Sequence, residues 1–169
     1  MPSDSQRLVA EPEALAVIGR AESRPDELPS VVTFGGTDSS TLLLAFPPIW
    51  RGARRIEAAF LLLEPMPGTF GSGADVPVHV WRVRGRWKPE TLKPNQLPDF
   101  VPPASRGLAR SSVDSPLRID VTDLVTYLAT HPSADHGIAV RAGTSDGAGV
   151  SFATGSSGGK SPRLEVYAR

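Results

Sequence analysis

The stretch TLLLAFPPIWRGARRIEAAFLLLEP, residues Thr41–Pro65, decides the fold. Two apolar runs, Thr41–Phe46 and Ile56–Glu64, flank a proline pair and the charged turn Arg51–Arg55. Apolar runs of roughly four to eight residues that are bounded by turn residues are typical of buried strands. We therefore predict two central strands that bury more apolar surface than any other part of the chain.

Further short strands are predicted on either side of this stretch, because apolar runs recur between Gly, Pro and Ser clusters. They are Ala14–Ile18, Val31–Phe34, Val76–Val83, Leu117–Val121, Gly137–Arg141, Val150–Ala153 and Arg163–Tyr167. One helix is expected to run to about Thr130, with Asp120 or Thr122 as its cap and His131-Pro132 as its end. About eight strands and no βαβ rhythm predict an all-β fold, an antiparallel jelly-roll β-sandwich with one short helix.

Two segments are predicted to lack regular structure. Residues 1–12 are assigned to an N-terminal tail, so that the β-sandwich domain spans residues 13–169. The segment Lys88–Ser112 contains five prolines and is expected to form a long irregular excursion. Trp87 or Leu92 is expected to pack beneath it.

The composition argues against several functions. Because 18 basic and 18 acidic residues give a formal net charge of zero, no overall field attracts nucleic acid or an anionic membrane. The chain has no cysteine, which excludes disulfides, thiolate catalysis and cysteine zinc sites. Neither a secretory signal peptide nor a membrane span is predicted.

Four motifs follow one another along the chain. They are LLLAF (42–46) with GA (52–53) and IEAAFLLL (56–63), VHVWRV (78–83) with Trp87, DVTDLV (120–125), and Phe152 with SPRLEV (161–166). In this order, over most of residues 40–168, they resemble the DNRLRE family, β-sandwich domains related to carbohydrate-binding modules. The resemblance implies a polysaccharide-binding module of an extracellular or cell-surface protein of bacteria or archaea. Leu92 departs from the family, which has Trp there, and the usual export signal is missing.

One extended segment carries cations and tryptophans that we predict as the ligand-binding site: Arg82, Arg84, Arg86, Lys88, Trp81 and Trp87. Alternate residues of a strand share a face, so the four cations would form one row. Guanidinium groups bind carboxylates or sulfates in a fork geometry, and an indole can stack on a sugar ring. The alternative, more common for charge runs, is that Gly85 breaks the strand and the cations are merely solvated.

The outer face of the central strands is also apolar, and it carries the candidate interface residues Leu43, Ala45, Phe60 and Leu62. An exposed apolar patch normally marks an interface. This predicts, as an alternative function, a structural subunit of a larger assembly or surface layer, or a homo-oligomer. The other explanation is that the N-terminal segment or the proline-rich excursion covers the patch.

No catalytic constellation is found, and the protein is predicted not to be an enzyme. His79, His131 and His136 are too far apart in sequence to suggest a metal site, while Asp120 and Asp123 fit a helix cap and a first-turn acid. No cofactor is predicted. A structural calcium ion stays open as an alternative, with loop carboxylates as its ligands. The candidate ligands are Asp38, Asp75 and Asp146.

Overall fold

The computed structural model describes residues 4–19, 29–36, 39–65, 75–93, 96–110, 116–143, 149–155 and 160–169. Within these ranges the chain forms eleven β-strands and one α-helix. The strands are β1 (Gln6–Ala10), β2 (Ala14–Ile18), β3 (Val31–Phe34), β4 (Thr41–Ala45), β5 (Ile56–Leu63), β6 (Asp75–Arg84), β7 (Asp99–Arg110), β8 (Leu117–Asp120), β9 (Ile138–Ala142), β10 (Val150–Ala153) and β11 (Arg163–Ala168). The helix is α1 (Thr122–Thr130), and two short 3-10 helices span Pro89–Thr91 and Pro132–Ala134.

The strands form two main antiparallel sheets. One has four strands in the order β1-β11-β5-β8, and the other has five in the order β2-β4-β9-β6-β7. Strands β10 and β3 form a separate pair, which a bridge between Phe152 and Pro65 joins to the end of β5. Consecutive strands cross between the two main sheets at β1–β2, β4–β5, β5–β6, β7–β8 and β8–β9. The predicted all-β sandwich with one short helix is confirmed.

The main core lies between the two sheets. Leu42 and Leu44 of the five-stranded sheet belong to the same buried cluster as Leu61 and Leu63 of the four-stranded sheet. Their positions follow the alternation of a β-strand, in which every second side chain points to the same face.

Helix α1 closes one end of this core with Leu124, Val125 and Leu128. Its start differs slightly from the prediction, because Val121 occupies the N-cap position. Asp120 still contributes, since its Oδ1 accepts a hydrogen bond from the first helical N–H, that of Thr122, at 2.9 Å.

A second buried cluster, here called the outer cluster, covers part of the five-stranded sheet on the side away from the main core. It consists of Ala16, Ile18, Leu43, Val83, Leu92 and Ala139, with Trp87, Leu97 and Phe100 packed against it. Leu92 is 4% exposed, which confirms the expectation that it packs beneath the proline-rich segment. The segment that follows β6 therefore supplies an outer cover for the sheet.

Two segments that were expected to be irregular contain strands. Residues 6–10, inside the expected tail, form β1, which pairs with β11 from Gln6↔Ala168 to Ala10↔Leu164. The second half of the proline-rich excursion forms the twelve-residue strand β7, which pairs with β6. Pro102 and Pro103 lie in β7 at a register shift, where neither has a partner residue in β6. Prolines are tolerated at a bulge of an edge strand because they need not donate to the ladder.

The two predicted central strands lie in different sheets. Strand β4 pairs with β2 and β9 in the five-stranded sheet, whereas β5 pairs with β11 and β8 in the four-stranded sheet. The connection between them thus crosses from one sheet to the other at one end of the sandwich. That crossing helps to form the cleft described next.

Candidate binding cleft

A cleft of about 980 Å³ opens at the end of the sandwich where α1 lies. Three parts of the chain surround it: the β4–β5 connection, the C-terminal half of α1 with the turn that follows, and residues 86–88 after β6. Its titratable lining residues are Arg51, Arg54, Arg55, Arg86, Lys88, Glu13, Asp135 and His136.

The first wall is the β4–β5 connection, which hydrogen bonds hold in place. Trp50 is 7% exposed and belongs to the main core, and its carbonyl accepts a hydrogen bond from Ala53 N at 3.0 Å. Arg55 exchanges two backbone hydrogen bonds with Arg169, at 3.0 and 2.9 Å. Three arginines of this wall (Arg51, Arg54 and Arg55) therefore extend from an anchored backbone.

The opposite wall is formed by Trp87 and the turn before β9. The indole Nε1 of Trp87 donates a hydrogen bond to the carbonyl of His136 at 2.6 Å. Gly137 follows with a φ of +86°, and a Cβ at that position would lie 2.4 Å from the carbonyl oxygen of Leu44. Only glycine fits here without strain, and this close approach fixes the turn against β4.

The described residues that line the cleft include five cations and two carboxylates. All five cationic residues are exposed, and none of them forms an ion pair with another described residue. Cations without an ion pair on the walls of a cleft create a local positive potential even though the whole chain is neutral. The carboxylate of Glu57 offsets part of this potential at Arg55.

Asp135 is the perturbed acid of the cleft. Its burial raises its pKa above the ordinary value, and the nearby carboxylate of Glu13 acts in the same direction. The backbone N–H of Gly137, 3.2 Å from Asp135 Oδ1, and the charge of His136 oppose this increase. A proton on Asp135 would make the cleft more positive and would also supply a hydrogen-bond donor.

The structure divides the predicted row of cations. Strand β6 ends at Arg84, and Gly85 follows with a φ of +120°, as the alternative interpretation of the sequence expected. Arg86, Trp87 and Lys88 come together on the cleft. Arg84 is exposed at the end of the strand.

Arg82 and Trp81 lie away from the cleft and on opposite sides of the sheet. Arg82 reaches toward α1, with its guanidinium carbon 4.6 Å from the ring centre of Tyr127 and its Nε donating to the carbonyl of Pro102 at 3.1 Å. Trp81 points to the outer face, where its ring meets that of His79 edge-on at 6.1 Å between centres.

The four candidate interface residues do not form one patch. Leu43 is fully buried in the outer cluster, and Ala45 lines the cleft. Phe60 lies on the outside of the four-stranded sheet, where the guanidinium of Arg118 sits 3.6 Å from its ring centre and Tyr167 packs edge-on at 6.2 Å. Leu62 is 9% exposed on the same sheet.

Sequence reasoning missed the three arginines of the first wall, which it assigned to a turn. A usable signal was present, because RGARR directly follows Trp50 in a connection between two apolar strands. Glu13 and Asp135 had no such signal, since they lie far apart in sequence and meet only through the fold.

Among the described residues, no group of three or more His, Asp or Glu side chains could hold a metal ion. Asp75 begins β6, while Asp38 and Asp146 lie outside the described residues. No helix in the described part of the chain is long and apolar enough to cross a lipid bilayer.

No protein-family model matches this chain, and no curated protein is significantly similar to it. The resemblance to the DNRLRE family therefore stays a prediction. Any function has to be inferred from the chemistry of the cleft and of the surrounding surface.

Proposed function

We propose that this protein is a non-enzymatic binding module whose cleft recognises an acidic polysaccharide. The observation that carries the proposal is the set of five exposed cations that surround one cleft without ion-pair partners among the described residues. The volume, about 980 Å³, lies near the upper end of the range of roughly 300–1,000 Å³ for ligand clefts.

The chemistry of the walls suits sugar acids. Arginine binds carboxylates and sulfates through paired N–H groups, and lysine adds a mobile point charge. Trp87 supports a sugar ring, because its indole is oriented by the hydrogen bond to His136 and is partly exposed at the cleft. Glu13 and Asp135 offer side-chain acceptors for sugar hydroxyl groups, which the arginine and lysine side chains cannot supply.

The alternative predicted from the sequence, a structural subunit that packs through an apolar outer face, has less support. Leu43 is covered by the chain's own outer cluster, and Phe60 is covered by Arg118 and Tyr167. Because Leu43 and Phe60 lie in different sheets, the residues that suggested the assembly do not form a continuous surface.

The test compares two triple variants that remove the same charge. The cleft variant is Arg54→Gln, Arg86→Gln and Lys88→Gln, and the matched control is Arg84→Gln, Lys93→Gln and Lys160→Gln. All six side chains are exposed, but only the first three line the cleft. Binding to polygalacturonate is measured by calorimetry at about 20 mM and about 300 mM salt, since screening weakens exposed charge contacts.

We expect the cleft variant to bind at least about tenfold more weakly, because charge-assisted hydrogen bonds contribute about 1.5–3 kcal/mol each. The control should stay within about threefold of the parent, and high salt should weaken the parent. Equal losses in the two variants would show that net charge, not the cleft, determines binding. Absence of binding by the parent to polygalacturonate and to a sulfated polysaccharide would refute the proposed function.

A further inference from the structure

A second cationic surface lies on the outside of the five-stranded sheet. Its centre is a row of three residues on adjacent strands, Arg106, His79 and Arg141, which is here called the outer row. His79 on β6 is the direct partner of Arg141 on β9 and of Arg106 on β7. Because the neighbouring residues Val78 and Val80 are buried in the main core, His79 and its two partners face outward. Both arginines are exposed.

The next position of β6 on the same face is Trp81, whose surroundings suit the stacking of a flat sugar ring. Trp81 is the direct partner of Ala139 on one side and of Ala104 on the other, so small residues flank the indole across both strands. The imidazole of His79 meets the indole edge-on, and the guanidinium of Arg141 lies 5.1 Å from the ring centre of Phe100. A partly exposed aromatic surface with a guanidinium beside it therefore adjoins the outer row.

The charge of the outer row has no ion-pair partner in the part of the chain that the structure describes. Arg106 and Arg141 flank His79 from the two neighbouring strands, with backbones about 10 Å apart at about 4.8 Å per strand spacing. Neither arginine forms an ion pair with another described residue. Asp75, at the start of β6, is the carboxylate of that strand. It lies four residues before His79, which corresponds to about 13 Å along the strand at about 3.3 Å per residue. An external anion that bridges the two guanidinium groups would supply the partner that the described residues do not.

We propose that Trp81 and the outer row form a second binding surface for an acidic glycan, separate from the cleft. The sugar ring stacks on the indole of Trp81, and the carboxylates or sulfates of the chain contact Arg106 and Arg141. The ligand class is that of the proposed function, but none of these residues lines the cleft. The two proposals can therefore fail independently.

Two separate sites for one repeating polymer should make the affinity depend on the length of the polymer. When one part of a polysaccharide occupies the cleft, other acidic residues of the same polymer are held near the outer row at a high effective concentration. A long polymer that reaches both sites should bind more tightly than a trisaccharide, which reaches one site at a time.

The test counts the binding sites for trigalacturonate by calorimetry. The outer-row variant is Arg106→Gln with Arg141→Gln, and its matched control is Lys93→Gln with Lys160→Gln. A third variant, Trp81→Ala, removes the stacking ring, and a thermal melt verifies that each variant is folded. We expect two sites in the parent and the control, and one site in the outer-row variant and in Trp81→Ala.

The same samples are titrated with polygalacturonate, for which we expect the outer-row variant to bind at least about fivefold more weakly. One site in the parent that only the cleft variant abolishes would refute the outer row and leave the proposed function standing. One site that only the outer-row variant abolishes would support the outer row and refute the cleft. Tighter binding of inorganic polyphosphate, lost in the same variant, would show that the surface recognises charge alone and would overturn the glycan assignment.

Discussion

Leu92→Ala should destabilise the protein, because the chain itself supplies the cover on the outside of the five-stranded sheet. Leu92 is 4% exposed and belongs to the outer cluster together with Leu43 and Val83. It lies in a segment without regular strand or helix, so its stability contribution comes from burial rather than from backbone pairing. The change removes side-chain volume but leaves the backbone course unaltered.

The magnitude follows from the buried atoms. Leucine loses three carbon atoms on truncation to alanine, and at about 0.8 kcal/mol for each buried carbon the transfer contribution is about 2.4 kcal/mol. A residual cavity adds to this cost, and measured Leu→Ala changes in cores range over about 2–5 kcal/mol. For a chain of this length, such a loss lowers the melting temperature by roughly 5–20 °C.

Urea unfolding of the parent and of Leu92→Ala measures this difference, with Leu108→Ala as the matched control. Leu108 is 49% exposed, and the same truncation there should cost at most about 1 kcal/mol. A loss below about 1 kcal/mol for Leu92→Ala, or equal losses in the two variants, would refute the reasoning that this segment forms an outer core. A change in molecular mass by light scattering would also refute it, because it would show that another chain provides the cover.

Two further predictions concern the turn before β9. Gly137→Ala should cost more stability than Gly52→Ala, because both residues have a positive φ (+86° and +89°) but only the first would place a Cβ against backbone, 2.4 Å from the carbonyl of Leu44. Urea unfolding should give about 1–2 kcal/mol for Gly52→Ala from the left-handed conformation alone, and equal costs would contradict the steric argument. For Asp135, burial raises the pKa above 3.8, so the folded protein holds this proton more tightly than the unfolded chain does. The stability that comes from this group is therefore present at low pH and is lost as pH rises through its folded pKa. Asp135→Asn, whose amide oxygen can still accept from Gly137 N, should remove that loss in unfolding curves recorded from about pH 4 to about pH 7. A variant that loses more stability than the parent as pH rises would contradict this sign.

The sequence predicted those elements whose local signals agree with one another. The strand Val31–Phe34 has the predicted bounds, since a glycine pair stops it. Helix α1 ends at Thr130 because His131-Pro132 cannot continue it. In both places the apolar periodicity and the breaking residues indicate the same boundary. The tertiary contacts are compatible with that boundary, so the structure keeps it.

The sequence failed where a tertiary contact determines the outcome. Strand β7 was missed because its prolines were treated as breakers, yet Pro102 and Pro103 lie at a register shift of an edge strand and interrupt no ladder bond that β6 requires. Strand β1 was missed because it is short and has only three apolar residues, Leu8 to Ala10. It is held by its ladder with β11 and by the ion pair between Arg7 and Glu165, which are 158 residues apart.

Strand β4 is apolar on both faces. Such a pattern predicts that both faces are buried, but it does not identify what covers the second face. Leu42 and Leu44 on one side and Leu43 on the other are all fully buried, so each face needs a partner. The strand's own pattern shows that a second cover exists, but the cover consists of Leu92 and its neighbours, some 50 residues later along the chain. The same pattern is compatible with a cover supplied by another subunit, which is why the sequence left both explanations open.

The distribution of charge on the surface also depends on the fold. A formal charge of zero argues against a field that extends over the whole molecule, but it does not constrain how 18 cations and 18 acids are distributed on the surface. The fold pairs Arg7, Arg163 and Arg169 with glutamates, whereas the cations of the cleft and of the outer row lack such partners among the described residues. At both places the cations lie near a partly exposed tryptophan, so an external anion can bind guanidinium groups that no described carboxylate occupies. This selective pairing is the physical reason to expect an acidic ligand, and it became visible only once the sheets had determined which side chains are neighbours.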